Sequence, residues 1–395
     1  MTDGVAIAHD YATQRGGAER VALLLARAFP GSPLYTTLYD PAGTFPEFAA
    51  LDVRTSYLNR VGPLRRSHRM ALPLLASAVA THRVDADVLL ASSTGWAHGY
   101  RGARRTVVYC HAPARWLYQR ERYLSGEEGA RAADRARRAA AGAALGLLAP
   151  GLRAWDRRAA HRADRYLANS TVTARAVRAA YGIEAEVVPP PPALLPDDGA
   201  SRPVDDVAPG FLLCVARLLP YKNVDAVIGA VCELGDRRLV VVGDGPDRAR
   251  LEGLARAAGT VPSSSDGGGS PDGAGEPRVR LLGRVDDPAL RWLYANAAAL
   301  VAASYEDYGL SPLEAGAFGA PSVVLRDGGY LDTVADGVTG TFFDAPDPVQ
   351  IARAVEEAAV TSWDDQALAA HVDRFGTGRF LDRIRTIVDH ERHDG

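Results

Sequence analysis

The sequence predicts an α/β protein: two Rossmann-like, doubly wound domains of parallel sheet facing each other across a cleft. Three observations predict it. Short apolar runs alternate with helical patterns along the whole chain, the mark of parallel βαβ units. The 395 residues exceed one ordinary core and suit two domains of about 200 residues each. The halves meet at "VVPPPPALLPDDG", where Pro189 to Pro192 make a stiff, extended connector that lacks ladder donors. The boundary is placed there, giving domains 1–190 and 191–395, with the C-terminal helix left free to pack back on the first.

In the first domain "GVAIAH", "SPLYTTLY", "ADVLLASS", "RRTVVYCHA" and "DRYLANS" read as strands, and "GGAERVALLLARAF" and "STVTARAVRAAYG" as helices. In the second, "GFLLCVA", "RRLVVVG", "RVRLLG", "AALVAAS", "APSVVL" and "TGTFF" read as strands. The stretch Gly259 to Pro277 is rich in Gly, Ser, Pro and Asp, buries little apolar surface, and is expected to be a disordered surface loop.

Composition narrows the function classes. Hydrophobic residues make up 47% of the chain, yet no apolar run reaches the ~20 residues of a membrane span. The N-terminus has neither the basic flank nor the apolar core of a signal peptide. The three cysteines, Cys110, Cys214 and Cys232, lie far apart, which suits neither a disulfide framework nor a metal knuckle, and a cytoplasmic location is expected. The net charge of −3 conceals an asymmetry, with 26 basic and 16 acidic residues up to position 190 and 19 basic and 32 acidic after it.

One feature of that charge is unusual. Of the 45 basic residues only Lys222 is a lysine. Either an Arg-biased genome spared one codon, or position 222 needs a compact ammonium where a planar guanidinium does not serve.

Three segments of the second domain suit phosphate. Strand "FLLCVA" delivers Arg217 and Lys222 at its carboxyl end, where doubly wound sheets bind ligands. "VVVGDGP" places Gly243 and Gly245 at a tight turn after a strand, where backbone approaches a ligand closely. In "SYEDYGLSPLEAGAFG", Tyr308, Gly309 and Leu310 lead into a helix whose first amides suit a diphosphate.

Together these motifs carry a resemblance. Glu306 and Glu314 frame "EDYGLSPLE", similar to the E-x7-E signature of retaining nucleotide-sugar glycosyltransferases of family 4, with the GT-B fold. It extends through "GGAERV", "YCHAPARWLY", "ADRYLANS", "VARLLPYKNVDAVI", "VVVGDGP", "VRLLGRV" and "GGYLDTVADGVTG". The "YCHAPARWLY" block and the region of Trp155, Asp156 and Arg157 most resemble mannosyltransferases of polysaccharide and lipid-linked glycan assembly.

The resemblance implies hexosyl transfer, with GDP-mannose as the favoured donor and a UDP-sugar as the alternative. The implied acceptor is a glycan or a polyprenyl-linked glycan. Arg217 and Lys222 match the pair that holds the donor diphosphate and stabilises charge on the leaving nucleotide. Glu306 matches the glutamate that accepts from hydroxyls of the transferred sugar, and Glu314 the one that binds ribose. Gly16 and Gly17 match a loop that closes on the donor phosphates, and His111 a histidine near the transferred sugar. Front-face attack, in which a donor phosphate oxygen takes the acceptor proton, needs no general-base carboxylate, and no cofactor or metal is expected.

Bland readings stand beside these. Ser311 to Glu314 also reads as a capping box with Pro at N1. "RGGAER" also reads as a helix entry, and His111 as a buried structural histidine. Asp85 to Asp87 mimics a D-x-D metal motif but precedes its strand, and Asn169 to Thr171 reads as strand-to-helix capping. Between Arg101 and Arg178 stand 17 arginines and 6 acids. They are read as a surface for the anionic cytoplasmic leaflet, centred on Arg131, Arg135, Arg138, Arg153 and Arg157, or as an ordinary solvated helix face. Nucleic acid is disfavoured, because stacking platforms are absent and the second domain is acidic. Two other classes share the architecture: a nucleotide-sugar epimerase or hydrolase, and a non-catalytic nucleotide-sugar-binding protein.

Overall fold

In a computed structural model of the chain, the described residues are 4–66, 68–119, 146, 148–261 and 276–393. They form two compact units, one of residues up to 191 together with those from 377 onward, the other of residues 192–376.

The first unit is built on a seven-stranded parallel sheet. Its strands are β1 (Val5–His9), β2 (Leu34–Thr36), β3 (Val53–Thr55), β4 (Val88–Ser93), β5 (Arg105–Cys110), β6 (Arg165–Ala168) and β7 (Glu186–Val187), in the order β3-β2-β1-β4-β5-β6-β7. Both faces are covered, which explains why β1 and β4 are apolar without alternation. Val5, Ile7, Leu90 and Tyr109 face one core with helix Gly17–Ala28 and helix Thr377–His393. Ala6, Ala8, Leu89 and Val108 face the other, with Val177 and Tyr181 of helix Thr171–Tyr181.

The C-terminal helix belongs to this first unit, where it buries Phe380, Ile384, Ile387 and Val388 at fourfold to threefold spacing along one stripe. β3 and β7 were not expected from the sequence. Each is an edge strand of two or three residues with no buried position, so neither leaves an apolar signature.

The second unit holds a six-stranded parallel sheet. It comprises β8 (Phe211–Val215), β9 (Leu239–Val242), β12 (Val279–Gly283), β13 (Ala297–Ala302), β14 (Ser322–Leu325) and β15 (Gly340–Phe343), in the order β12-β9-β8-β13-β14-β15. Leu212, Cys214, Leu239 and Val241 pack on one side, and Phe211, Leu213, Val240 and Val242 on the other. A small antiparallel pair, β10 (Thr260–Val261) with β11 (Glu276–Pro277), closes the ends of the Gly/Ser-rich stretch. Those ends are therefore ordered as a ladder, in contrast to the expected disordered loop over Gly259 to Pro277, and residues 262–275 lie outside the described residues.

Each sheet reverses its winding once. The reversal falls between β1 and β4 in the first unit and between β8 and β13 in the second, and crevices at the carboxyl ends of such strand pairs are where doubly wound sheets bind ligands.

Candidate active site

The switch point of the second sheet brings together residues that are far apart in sequence. The loop leaving β8 carries Arg217 and a short turn, Pro220–Lys222; the loop leaving β13 carries Ser304 and Glu306. Lys222 Nζ is ion-paired with Glu306 Oε1. Ser304 Oγ donates to the same oxygen at 2.7 Å. Asn223, in the left-handed region at φ 52°, donates from Nδ2 to the carbonyl of Ala303 at 2.8 Å. Two loops are thus stitched together at adjacent residues.

The Lys222 side chain is 11% exposed, and its ammonium lies 5.1 Å from the centre of the Tyr221 ring, within cation–π range. Little space remains around it, which favours the compact ammonium over the broader guanidinium. Arg217 is exposed, and its guanidinium has no carboxylate partner among the described residues. The pair therefore divides into a cation already matched by a carboxylate and one directed to solvent.

The glycines after β9 serve a close approach to protein. A Cβ on Gly243, which has φ 131°, would lie 1.9 Å from the carbonyl oxygen of Ala216, and one on Gly245 would lie 2.1 Å from that of Leu218. Leu218 N–H donates to the Asp244 carbonyl at 3.1 Å, so this turn sets the path of the segment bearing Arg217.

Helix Leu310–Ala317 follows with Gly309 as N-cap at φ 84° and no side-chain cap hydrogen bond. The capping box suggested by Ser311 and Glu314 is not formed, because the helix begins at Leu310, two residues before Pro312, and Glu314 falls in its second turn. Glu314 Oε2 instead accepts from the hydroxyl of buried Tyr294 at 2.8 Å. The Tyr308 ring is buried against Leu313 and Phe375, and burial holds its hydroxyl well above the usual range. Leu310 opens the helix, whose first backbone amides are the donors this segment can offer an anion.

A further loop braces these residues. Gly329 N–H donates to the Glu306 carbonyl at 2.7 Å, and a Cβ on Gly328 would sit 2.4 Å from that same oxygen. The Tyr330 hydroxyl lies 3.4 Å from Ser304 Oγ.

In the first unit the switch point gathers Gly16, Gly17 and His111. Gly16 is the extended N-cap of the helix that Gly17 opens, and a Cβ there would lie 2.6 Å from Glu19 Oε2. His111 follows β5, with Nε2 2.9 Å from Ser92 Oγ and its carbonyl accepting from Thr173 Oγ1 at 3.1 Å. Burial first, then the neighbouring charges of His9 and Arg115, pushes its pKa down to about 3, so the ring is neutral. Asp10 accepts from the backbone N–H groups of Trp96 at 2.6 Å and Ala97 at 2.8 Å, shaping the turn after β4.

Other motifs settle into structural places. Ser170 caps its helix, with Oγ accepting from Thr173 N–H at 3.0 Å. Asp85 to Asp87 stands at the entry to β4, where Asp87 lies 3.5 Å from Arg104. Of the basic stretch, Arg153, Arg157 and Arg158 are exposed on a helix spanning 148–160, whereas Arg131, Arg135 and Arg138 lie outside the described residues. Cys110, Cys214 and Cys232 form no disulfide among the described residues. No helix among the described residues is long and apolar enough to cross a membrane.

Sequence reasoning missed Ser304, Asn223, Tyr294 and Tyr330 in the second unit, and His9, Glu19 and Ser92 in the first. Only the strand-end positions of His9 and Ser92 offered a signal.

Comparisons with known proteins agree with this architecture. Residues 15–191 match the model for Glycosyltransferase Family 4, and residues 209–359 the model for Glycosyl transferases group 1. A D-inositol 3-phosphate glycosyltransferase of Mycolicibacterium paratuberculosis is 32% identical over 43% of this chain and 38% of its own length. One of Nocardiopsis dassonvillei is 30% identical over 56% of the chain and 54% of its own length. The chain therefore spans about half or less of these curated relatives. Among solved structures, Anabaena Alr3699/HepE in complex with UDP-glucose superposes with a TM-score of 0.65 at 18% identity, covering 98% of this chain and 99% of that one. The two parallel-sheet units are of the GT-B class, and the chain carries a Glycosyltransferase Family 4 domain over residues 15–191 and a Glycosyl transferases group 1 domain over residues 209–359.

Proposed function

We propose that this chain is a retaining glycosyltransferase that moves a hexosyl group from a nucleoside diphosphate sugar to a glycan or lipid-linked acceptor. The observation that carries the reading is the Lys222–Glu306 ion pair at the switch point of the second sheet, with exposed Arg217 on the same loop as Lys222. A carboxylate held by an ammonium is poised to exchange partners: a diphosphate attracts Lys222, and sugar hydroxyls donate to the freed oxygen of Glu306.

In this reading Arg217 and Lys222 hold the diphosphate and neutralise the charge that grows on the leaving nucleotide, where electrostatic stabilisation is worth most. The backbone turn at Gly243 shapes the Arg217 segment, and the helix amides from Gly309 and Leu310 receive phosphate oxygens, with Tyr308 as a buried anchor. Glu314, oriented by Tyr294, binds the ribose. In the first unit, Gly16 and Gly17 are assigned to the donor phosphates and His111 to an oxygen of the transferred sugar. Retention follows front-face attack in which a donor phosphate oxygen takes the acceptor proton, so no metal or other cofactor is required.

Two donors are favoured by different observations: GDP-mannose by the motif resemblance, and a uridine donor by the UDP-glucose bound to the Anabaena neighbour. The test is a thermal-shift panel of GDP-, UDP-, ADP- and dTDP-sugars, because a ligand that binds the folded chain raises its melting temperature by mass action. The α- or β-configuration of the product, read by NMR, then tests retention. Conversion of a donor with no acceptor present would instead identify an epimerase or hydrolase.

The exposed arginines of helix 148–160 support a peripheral place at the cytoplasmic face of a membrane. Vesicles with and without anionic lipid, sedimented at low and high salt, test it, since charge attraction is screened within ~8 Å at physiological ionic strength.

A further inference from the structure

Four buried side chains converge where β1, β4 and β5 end in the first unit. His9 is the last residue of β1 and pairs in register with Ser92 of β4; His111 follows β5; Glu19 lies in the first turn of helix Gly17–Ala28. His9 and Glu19 are each 1% exposed, and Ser92 is fully buried. His9 Nε2 lies 4.0 Å from Glu19 Oε1. His9 Nδ1 lies 3.2 Å from the Ser92 carbonyl and 3.1 Å from Ser92 Oγ, and Ser92 Oγ lies 2.9 Å from His111 Nε2.

The proton positions follow from what each atom can do. The Ser92 carbonyl only accepts, so His9 Nδ1 carries a hydrogen. That hydrogen is shared with Ser92 Oγ, and the one acceptor left within reach of the hydroxyl proton among the described residues is His111 Nε2. Nε2 therefore accepts, and the neutral His111 ring must carry its one hydrogen on Nδ1. His111 is 6% exposed, and its Nδ1 has no hydrogen-bond partner among the described residues.

Glu19 secures the direction of the chain. Burial alone lowers the pKa of His9, but the facing carboxylate of Glu19 4.0 Å away, then the charge of Asp10 and the Ser92 carbonyl, outweigh it and raise the pKa above its ordinary value. The carboxylate favours a proton on the Nε2 it faces, an arrangement in which His9 keeps its Nδ1 hydrogen on Ser92. His111 is faced by His9 and Arg115, both of which oppose its protonation.

We propose that Glu19, His9 and Ser92 are positioning residues that fix His111 as its Nδ1–H tautomer, so that it presents a hydrogen-bond donor to an oxygen of the ligand. The ring offers no acceptor there, which selects for a hydroxyl or phosphoryl oxygen and against a ligand group that must donate. The tautomer stands on the hydrogen-bond geometry together with the neutral state that burial imposes on the ring; its use on a sugar oxygen rests on the proposed glycosyltransferase reading.

The experiment is NMR of the full chain with isotope-labelled histidine, in which the ring nitrogen and carbon shifts report the tautomer of His111. The intact chain is expected to show a protonated Nδ1 and an unprotonated Nε2. Ser92→Ala, which removes the relaying hydroxyl, is expected to populate the Nε2–H form and to lower turnover about 10-fold, an order typical of a lost hydrogen bond to the reacting ligand. Glu19→Gln, a second variant that keeps volume, is expected to lower the His9 pKa and make the His111 tautomer depend on pH. A protonated Nε2 in the intact chain, or a His111 tautomer indifferent to both substitutions, overturns the proposal whatever the donor panel gives. The expected tautomer in a chain that binds no nucleotide sugar overturns the functional reading and leaves the relay standing.

Discussion

Lys222 and Glu306, 84 positions apart in the chain, are joined side chain to side chain, and the hydroxyl of Ser304 donates to the same carboxylate oxygen. The only lysine of the protein thus sits in a nearly buried, matched position on the loop leaving β8. Lys222→Ala is expected to lower turnover by about 100-fold or more with the fold intact, the scale of one lost charge-assisted contact in the transition state. Lys222→Arg keeps the charge but not the shape, and is expected to remain impaired by about 10-fold. Steady-state kinetics with the best donor of the panel, alongside circular dichroism, checks both. Full activity of the arginine variant would assign the lone lysine to codon drift.

The hydrogen bond from Tyr294 to Glu314 makes a second expectation. Glu314→Gln should weaken donor binding through the ribose while the melting temperature moves by only a few degrees, since no capping box is lost. Tyr294→Phe removes the orienting hydroxyl and leaves the carboxylate, so donor affinity should fall less than in Glu314→Gln. Calorimetric titration with the nucleotide and with the full donor separates the two. Unchanged affinity in both variants would detach Glu314 from the donor.

How far the sequence spoke differs by level. Strands such as β1, β4, β8 and β9 were legible because they are buried on both faces and read as unbroken apolar runs. β3 and β7 were not, because two or three residues at a sheet edge carry no pattern. Lys222 was legible through composition, and Glu306 and Glu314 through the resemblance of their segment to a family signature. Their partners were not, because the contacts of Tyr294 with Glu314 and of Ser304 with Tyr330 depend on where different segments meet, which no local pattern records. The capping box failed for a related reason: Gly309 in the left-handed region started the helix before Ser311 was reached.

The turn after β9 yields a stability prediction. Gly243→Ala asks for a side chain at φ 131° and a Cβ 1.9 Å from the Ala216 oxygen, so the backbone must move. Strain at a glycine-only conformation costs about 1–3 kcal/mol. For a unit of this size each kcal/mol lowers the melting temperature by about 2–4 °C. The displaced segment is the one that carries Arg217, so donor affinity should fall together with stability. A variant with a lowered melting temperature and unaltered donor affinity would show that the turn supports the sheet and not the site.

The last prediction concerns pH and the C-terminal helix. Glu186 of β7 accepts from Arg165 of β6 at 2.8 Å and from Arg383 Nε of the C-terminal helix at 2.7 Å. Burial by itself raises a carboxyl pKa, but here the hydrogen bonds and charges of the two guanidinium groups outweigh it and hold Glu186 below its ordinary value. A carboxylate with a depressed folded-state pKa adds stability that is fully present above the unfolded value of about 4.3 and fades as pH falls through the folded value. All three side chains are partly exposed, so the contribution is of the order of 1 kcal/mol at neutral pH. Urea midpoints of the parent and of Glu186→Gln should therefore differ at pH 7 and converge as pH drops below about 4. Arg383→Ala should reproduce part of the neutral-pH loss, because it removes one of the two cations. A difference between parent and Glu186→Gln that persists unchanged at low pH would mean that packing of the side chain, and not its charge, is what ties the helix to β7.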